Sequence, residues 1–164
     1  MTRAMRPSPT LRVLFLSTHN VARSIMAEYL LRRLGHGRFE SFSAGLEPRG
    51  EVHPLTVKVL RERFRIEPDG ARSKSWEEFQ DEHFHLVITV SDKAREVGVA
   101  WSGRTVSAHW DEPDPVAFDG GDKERELLFA QVGRELSQRL DLLCALPTEK
   151  LMLLPHQDQD GAPP

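Results

Sequence analysis

Residues 13 to 24 read VLFLSTHNVARS, with polar residues spaced as an anion-binding loop needs them. An apolar run, Val13–Leu16, stops at Ser17. Thr18, His19, Asn20, Val21 and Ala22 follow, and Arg23 and Ser24 close the stretch before an amphipathic segment, IMAEYLLRRLG. A tight loop here can point its backbone N–H groups inward, and the helix after it adds a positive end of about half a unit charge. Arg23 offers a planar fork to two oxygens of a tetrahedral anion. Ser24 can hydrogen-bond the group that Ser17 presents. Asn20 is a residue type that accepts left-handed backbone geometry and ties a loop to its neighbours. A plainer reading is a connecting loop with Ser24 as helix N-cap and Arg23 as a surface charge.

Such a loop needs a strand to end on and a helix to start. Val13–Leu16 is short and continuously apolar, as in a buried parallel strand. Ser24–Leu34 sets Ile25, Met26, Tyr29, Leu30 and Leu34 at helical spacing and ends at Gly35. Phe39, Phe42 and Ala44 mark a second strand that stops at Gly45. Pro54 fits the first turn of a second helix, continued by Leu55, Val59, Leu60 and Arg63 to about Arg65. Ser75 can cap a short helix over WEEF. HLVITV is the clearest buried strand, RTVSAHW a weaker fourth, and DEPDPVAFDGGD a long loop. Lys123 to about Leu146 reads as a long helix with Leu127, Leu128, Val132, Leu136, Leu140 and Leu143 on one face. Strands alternating with helices predict a doubly wound α/β domain with a parallel sheet, its ligand at the carboxyl ends of the strands. The expected layout is a flexible lead-in over 1–10, one domain over 11–146 and a partly disordered tail over 147–164.

The 164 residues suit a single domain with a real core. Lys and Arg number 22 against 25 Asp and Glu, a net charge of −3, which argues against bulk nucleic-acid or membrane-surface binding. No apolar run approaches the roughly 20 residues of a spanning helix, and MTRAMRPSPT lacks the apolar core of a secretory signal. A soluble cytoplasmic protein is the expectation. Cys144 is the one cysteine, so no intramolecular disulfide or cysteine-based zinc site can form. Cys144 falls near the apolar face of the long helix and reads as a small buried hydrophobe. His53, His83, His85 and His109 show no metal-ligand spacing joined to cysteine or carboxylate partners and read as surface or packing residues. Trp76, Trp101 and Trp110 read as core or loop anchors. Asp111, Glu112 and Asp114 read as a mobile acidic rim. No metal and no cofactor is expected.

Taken in order, several segments resemble the thiol-dependent arsenate reductases related to low-molecular-weight protein tyrosine phosphatases. STHNVARSIMAE resembles their C-T-x-N-x-x-R-S-x-M-A-E signature. FSAGLEPRGEVHPLTVKVL looks like their second strand and helix, ARSKSWEEF matches R-S-K-S, VITVSD is similar to V-I-T-V-C-D, and HWDEPDP resembles H-W-x-x-P-D-P. The correspondence is collinear from about Arg12 to Leu146. It implies a flavodoxin-like fold with a four-stranded parallel sheet and helices on both faces. It also implies arsenate, phosphate or sulfate as the ligand of Ser17–Arg23, and a thiol reductant such as thioredoxin as partner in any reductase turnover. In the family a cysteine thiolate at the first loop position attacks arsenate, or phosphorus in the phosphatases. Carried over by position, Arg23 clamps the oxyanion, Ser24 stabilises the nucleophile and Asn20 braces the loop. Asp114 is the general acid, with Asp111 and Glu112 as substitutes and an Asp-Pro turn as the plainer reading. Lys74 lies in the segment that helps hold a potassium ion in some relatives. Its own charge could serve there, with Glu28, Asn20 and Ser43 around it, or it could be an exposed loop lysine.

This chain departs from the family pattern at three cysteines. Serine stands at Ser17 and Ser91, and glycine at Gly98 across a small gap. A serine keeps the shape of the loop but not the easy ionisation, and His19 is expected to point outward. Removing the nucleophile of a well-studied serine protease costs about a million-fold in rate, roughly 8 kcal/mol of barrier. Without thiols at Ser91 and Gly98, a relay disulfide has no partners. The expectation is an oxyanion-binding member whose turnover is absent or severely impaired. One alternative is a phosphatase trapped by an engineered Cys-to-Ser change. Another is a non-catalytic oxyanion-sensing or protein-interaction module.

Overall fold

Alternate residues of the first strand, β1 (Leu11–Ser17), enter two different cores. Leu11, Val13 and Phe15 pack with Met26, Leu60, Phe129 and Leu136, whereas Leu14 and Leu16 pack with Phe79, Phe84, Ala94 and Trp101. Burial on both faces is why the strand reads as a continuous apolar run. In the computed structural model, which describes residues 10–99, 101 and 105–152, β1 lies inside a parallel sheet. With β2 (Phe39–Gly45), β3 (Leu86–Thr89) and β4 (Val106–His109), the order is β2-β1-β3-β4. Helices α1 (Arg23–Leu34), α2 (Pro54–Phe64) and α4 (Asp122–Ala145) contribute to the first core. Helix α3 (Asp92–Val97) and a 3-10 turn, Trp76–Phe79, contribute to the second. A short α5 (Thr148–Met152) follows α4. The fold is thus the doubly wound α/β arrangement expected from the sequence.

Local chemistry sets most boundaries. The His53 side chain accepts a hydrogen bond from the Leu55 N–H and Pro54 follows it in the first turn of α2. Ser75 caps the 3-10 turn through the Glu77 N–H. Helix α1 begins at Arg23, with Ala22 at the N-cap, so Ser24 sits inside the helix rather than capping it. Leu127 is 57% exposed, against expectation, because it lies nine residues, about half a turn, from the buried Leu136. Phe129, Val132, Leu136, Leu140 and Leu143 form the buried stripe instead. The six residues of α3 are too few to show a period in the sequence, and the helix ends at Gly98 in the left-handed region (φ 59°). Residues 1–9, where the lead-in was expected, 153–164 of the expected tail and Arg104 of RTVSAHW lie outside the described residues. Among the described residues, no helix is long and apolar enough to cross a membrane.

Register brings the loops together at one edge. Ser17 pairs with Gly45, and Leu16 with Thr89, at the carboxyl ends of their strands. The Gly45 N–H donates to the Lys74 carbonyl (2.9 Å), and Gly45 bridges Ser75 in parallel. That bridge lays the Arg72–Ser75 segment beside the loop that follows β1. Gly45 is needed for close approach: a Cβ there would stand 3.0 Å from the backbone N and the Cβ of Asn20 and 3.0 Å from the carbonyl carbon of His19. Two of these are backbone atoms, so the clash is not relieved by a rotamer change. Gly45→Ala should destabilise the protein by about 1–3 kcal/mol, seen as a fall in Tm of roughly 3–10 °C. An unchanged melting curve would contradict this packing.

Candidate functional site

The carbonyls of the Ser17–Ser24 loop are bonded to the chain that packs around it. Leu46 N–H donates to Ser17 O (3.1 Å), Glu47 N–H to Thr18 O (2.8 Å) and His53 N–H to Val21 O (3.1 Å). Side-chain hydroxyls complete the outer side, Ser73 donating to His19 O (2.9 Å) and Thr56 to Val21 O (2.7 Å). The chain after β2 therefore satisfies the loop's acceptors. By contrast, no hydrogen bond among the described residues uses the N–H of Val21, Ala22 or Arg23. Inward donors at the start of a helix are what an anion-binding concavity consists of. His19 points outward, its Nδ1 3.0 Å from Glu47 O.

Asn20 makes the reversal possible. It is 1% exposed and left-handed (φ 52°), a conformation Asn accepts more readily than most residues. Its N–H donates to Ser17 Oγ (3.0 Å), its Nδ2 to Ser24 Oγ (2.8 Å), and its Oδ1 accepts from the Lys74 N–H (3.0 Å). Ser17 Oγ also lies 2.7 Å from Ser24 Oγ. The Ser17 hydroxyl is thus surrounded by hydroxyl and amide partners. None of its described hydrogen-bond partners is an imidazole or a carboxylate.

Arg23 closes the mouth. Its guanidinium donates to Glu112 O (3.0 Å) and stands 3.7 Å from Asp114 Oδ2. Burial lowers the Arg23 pKa, opposed by the charges of Asp114, then Asp92, Glu112 and Asp111. Asp114 is fixed in turn by the Val116 N–H, which donates to its Oδ1 (3.0 Å). Ser17, Asn20, Arg23 and Asp114 line one cavity of ≈ 10 Å³, about the space of a single water.

Below the loop, Lys74 Nζ donates to Ser43 Oγ (3.1 Å) and Arg72 O (3.1 Å), approaches Asn20 Oδ1 (3.4 Å) and pairs with Glu28 Oε1 at 3.6 Å. Ser43 Oγ donates to Glu28 Oε1 (2.5 Å), and Arg32 reaches the other Glu28 oxygen (2.5 Å). Lys74 is 9% exposed; burial lowers its pKa, and the Glu28 charge opposes that shift. The sequence left open whether Lys74 is exposed; the geometry buries it.

Elsewhere, Ser91 Oγ lies 2.9 Å from Thr18 Oγ1 and accepts from the Ala94 N–H, capping α3. Cys144 is half-buried late in α4, and burial pushes its thiol pKa up. Trp101 is buried against Trp76 and Phe84, and Trp110 packs on Phe15. His53 lies over Phe129, and His85 Nδ1 accepts from the Arg12 N–H. The acidic rim needs correction at Glu112. Only 4% of Glu112 is exposed, and its Oε1 accepts from Arg139 Nε (3.1 Å) while Oε2 is buried without a hydrogen bond among the described residues. Sequence gave no sign of this, because the residue that meets it lies 27 positions downstream on α4.

Comparison with known proteins bears on this geometry. The profile of the family described as low molecular weight phosphotyrosine protein phosphatase matches residues 12–152. An arsenate reductase of Halalkalibacterium halodurans is 30% identical over 128 residues, 78% of this chain and 91% of the relative. A glutaredoxin arsenate reductase of Synechocystis is 28% identical over 134 residues, covering 82% and 96%. A solved arsenate reductase in the phosphate binding state superposes with a TM-score of 0.67 at 27% identity, covering 83% of this chain and 98% of that one.

Glu112 gives the site's surroundings a pH dependence. Burial first, then the neighbouring Glu135 carboxylate, raises its pKa from 4.5 to about 7. A carboxyl whose pKa is raised by folding stabilises the native state below its unfolded pKa, and that contribution fades as pH rises through the folded value. In EDTA-containing buffer, unfolding free energy should fall between pH 5 and pH 8 by up to about 3 kcal/mol more in the parent protein than in Glu112→Gln, which cannot ionise. Parallel pH profiles in denaturant titrations would contradict a buried, protonated Glu112.

Proposed function

Because the chain belongs to the low molecular weight phosphotyrosine protein phosphatase family, we propose that its Ser17–Ser24 loop binds a tetrahedral oxyanion of the arsenate or phosphate class. Turnover is absent or severely impaired, because Ser17 stands where the family has a cysteine nucleophile. The observation that carries this reading is the orientation of the loop, carbonyls outward and bonded, the amides of Val21, Ala22 and Arg23 free of partners among the described residues, and a guanidinium at the mouth. The relative described in a phosphate binding state supports the ligand class.

Each side chain has a role in this reading. Ser17, Thr18, His19, Asn20, Val21 and Ala22 supply the backbone of the cradle. Arg23 clamps two anion oxygens in its fork. Ser24 holds the group at position 17, and Asp114 is placed to give a proton to a leaving oxygen. Glu28, Ser43 and Lys74 hold Asn20 from below. The Ser17 hydroxyl lacks a base to take its proton, and a hydroxyl does not ionise near neutral pH as a cradled thiol does. Ser91, which caps α3, and Gly98, which ends it, carry no sulfur, so neither position supplies a redox thiol. A reductase cycle fed by thioredoxin or glutaredoxin therefore has no internal relay.

Two measurements test this. In titration calorimetry, arsenate and phosphate should bind the parent protein and bind Arg23→Ala about tenfold or more weakly, the scale of a lost charge-assisted hydrogen bond. Equal affinity would sink the cradle. Ser17→Cys should acquire a low-pKa thiolate and cleave para-nitrophenyl phosphate, since that reaction needs only the thiolate, Arg23 and Asp114. The same variant should not sustain thioredoxin-coupled arsenate reduction. Efficient coupled turnover would overturn the relay argument and point to Cys144. Silence in both assays would mean that the loop no longer activates a nucleophile.

A further inference from the structure

We propose that Asp92, His109 and Asp111 form a binding site for a first-row divalent cation of the zinc and cobalt type. Sequence spacing does not suggest it, since Asp92 opens α3, His109 ends β4 and Asp111 follows two residues on. Parallel pairing of β3 with β4, Thr89 against His109, brings them to one corner of the sheet. One ligand atom from each residue lies within 4.8 Å of the others.

The buried Nε2 of His109, which has no hydrogen-bond partner among the described residues, gives the strongest argument. Its Nδ1 lies 2.8 Å from Thr89 Oγ1, and the Thr89 hydroxyl donates to Ala108 O at 3.4 Å. A hydroxyl has one proton to give. When that proton goes to the carbonyl, Nδ1 carries the hydrogen of the pair and Nε2 offers its lone pair; a cation at Nε2 selects this tautomer. Nε2 is buried and makes no hydrogen bond among the described residues, and Asp92 Oδ1 stands 3.5 Å from it. A neutral imidazole fixed through Nδ1 and free at Nε2 is the form that ligates metals, and the Thr89 contact is the kind of outer bond that orients such a ligand.

The remaining chemistry fits the same ion class. Two carboxylates balance a dication. The imidazole favours zinc, cobalt or nickel over magnesium and calcium, which take oxygen ligands. Ligand atoms sharing a zinc ion at about 2.0–2.2 Å lie roughly 3.0–3.5 Å apart. Both aspartates are exposed and can swing inward by that margin. Two cations compete: Arg95, whose NH2 is 3.8 Å from Asp92 Oδ1 in a pair that is weak because both side chains are largely exposed, and Arg23, on which the charges of Asp92 and Asp111 also act.

Protein freed of metal with a chelator and then titrated with zinc chloride should take up one equivalent. Cobalt should give visible absorption bands, and excess magnesium should not compete. Asp92→Asn and Asp111→Asn, both on the surface, should each weaken zinc about tenfold or more, and Thr89→Val about tenfold by releasing the imidazole. Zinc should shift the His109 ring resonances in nitrogen-detected NMR before those of His83 and His85. Absence of saturable zinc binding would overturn the proposal. So would affinity unchanged in Asp111→Asn with His109 unperturbed, which would put the metal at His83, His85 or Cys144.

Discussion

The turn at Asn20 is the constraint on which the rest depends. A chain leaving β1 and entering α1 within a few residues must reverse, and it can do so around a concave face only if one residue is left-handed. Asn accepts that at less cost than most side chains. Its amide then spends both ends on the reversal, one on Ser24 and one on the Lys74 backbone. With Asn20 fixed, the amides after it face inward. The approach of Gly45 and the buried Lys74 ammonium then follow as packing requirements of that single conformation.

Electrostatically the cradle opposes its own surroundings. Arg23 stands at the mouth of a loop whose Val21 and Ala22 amides have no partner among the described residues, yet the charges of Asp114, Asp92, Glu112 and Asp111 all act on it. Asp114 Oδ2 stands 3.7 Å from the guanidinium, and the Val116 N–H holds its other oxygen.

Much of this was legible in the sequence, for reasons that differ by residue. β1 showed because burial on both faces demands a continuous apolar run. Asn20, Arg23 and Ser24 showed because a loop closed by a helix start has few solutions. The clustering of Lys74, Glu28 and Ser43 came from resemblance, since no local pattern announces contacts between α1, β2 and a loop. Three features were not legible. Helix α3 is shorter than two turns, Leu127 shares its composition but not its azimuth with the buried stripe, and Glu112 is buried only because α4 passes above it. The Asp92, His109 and Asp111 corner was hidden for a related reason. It is a product of strand pairing, and strand pairing is not written in residue spacing.

Lys74 has a consequence for how the loop meets its medium. An ion held from solution fills and empties with the composition of its surroundings. It has a dissociation constant, exchanges with sodium or lithium, and can be diluted away. An ammonium carried on the chain has none of these freedoms; its effective concentration is fixed by the backbone that delivers it, in the millimolar range or above for a short tether. The positive charge beneath the loop arrives with the chain itself, already bonded to Ser43 and paired with Glu28.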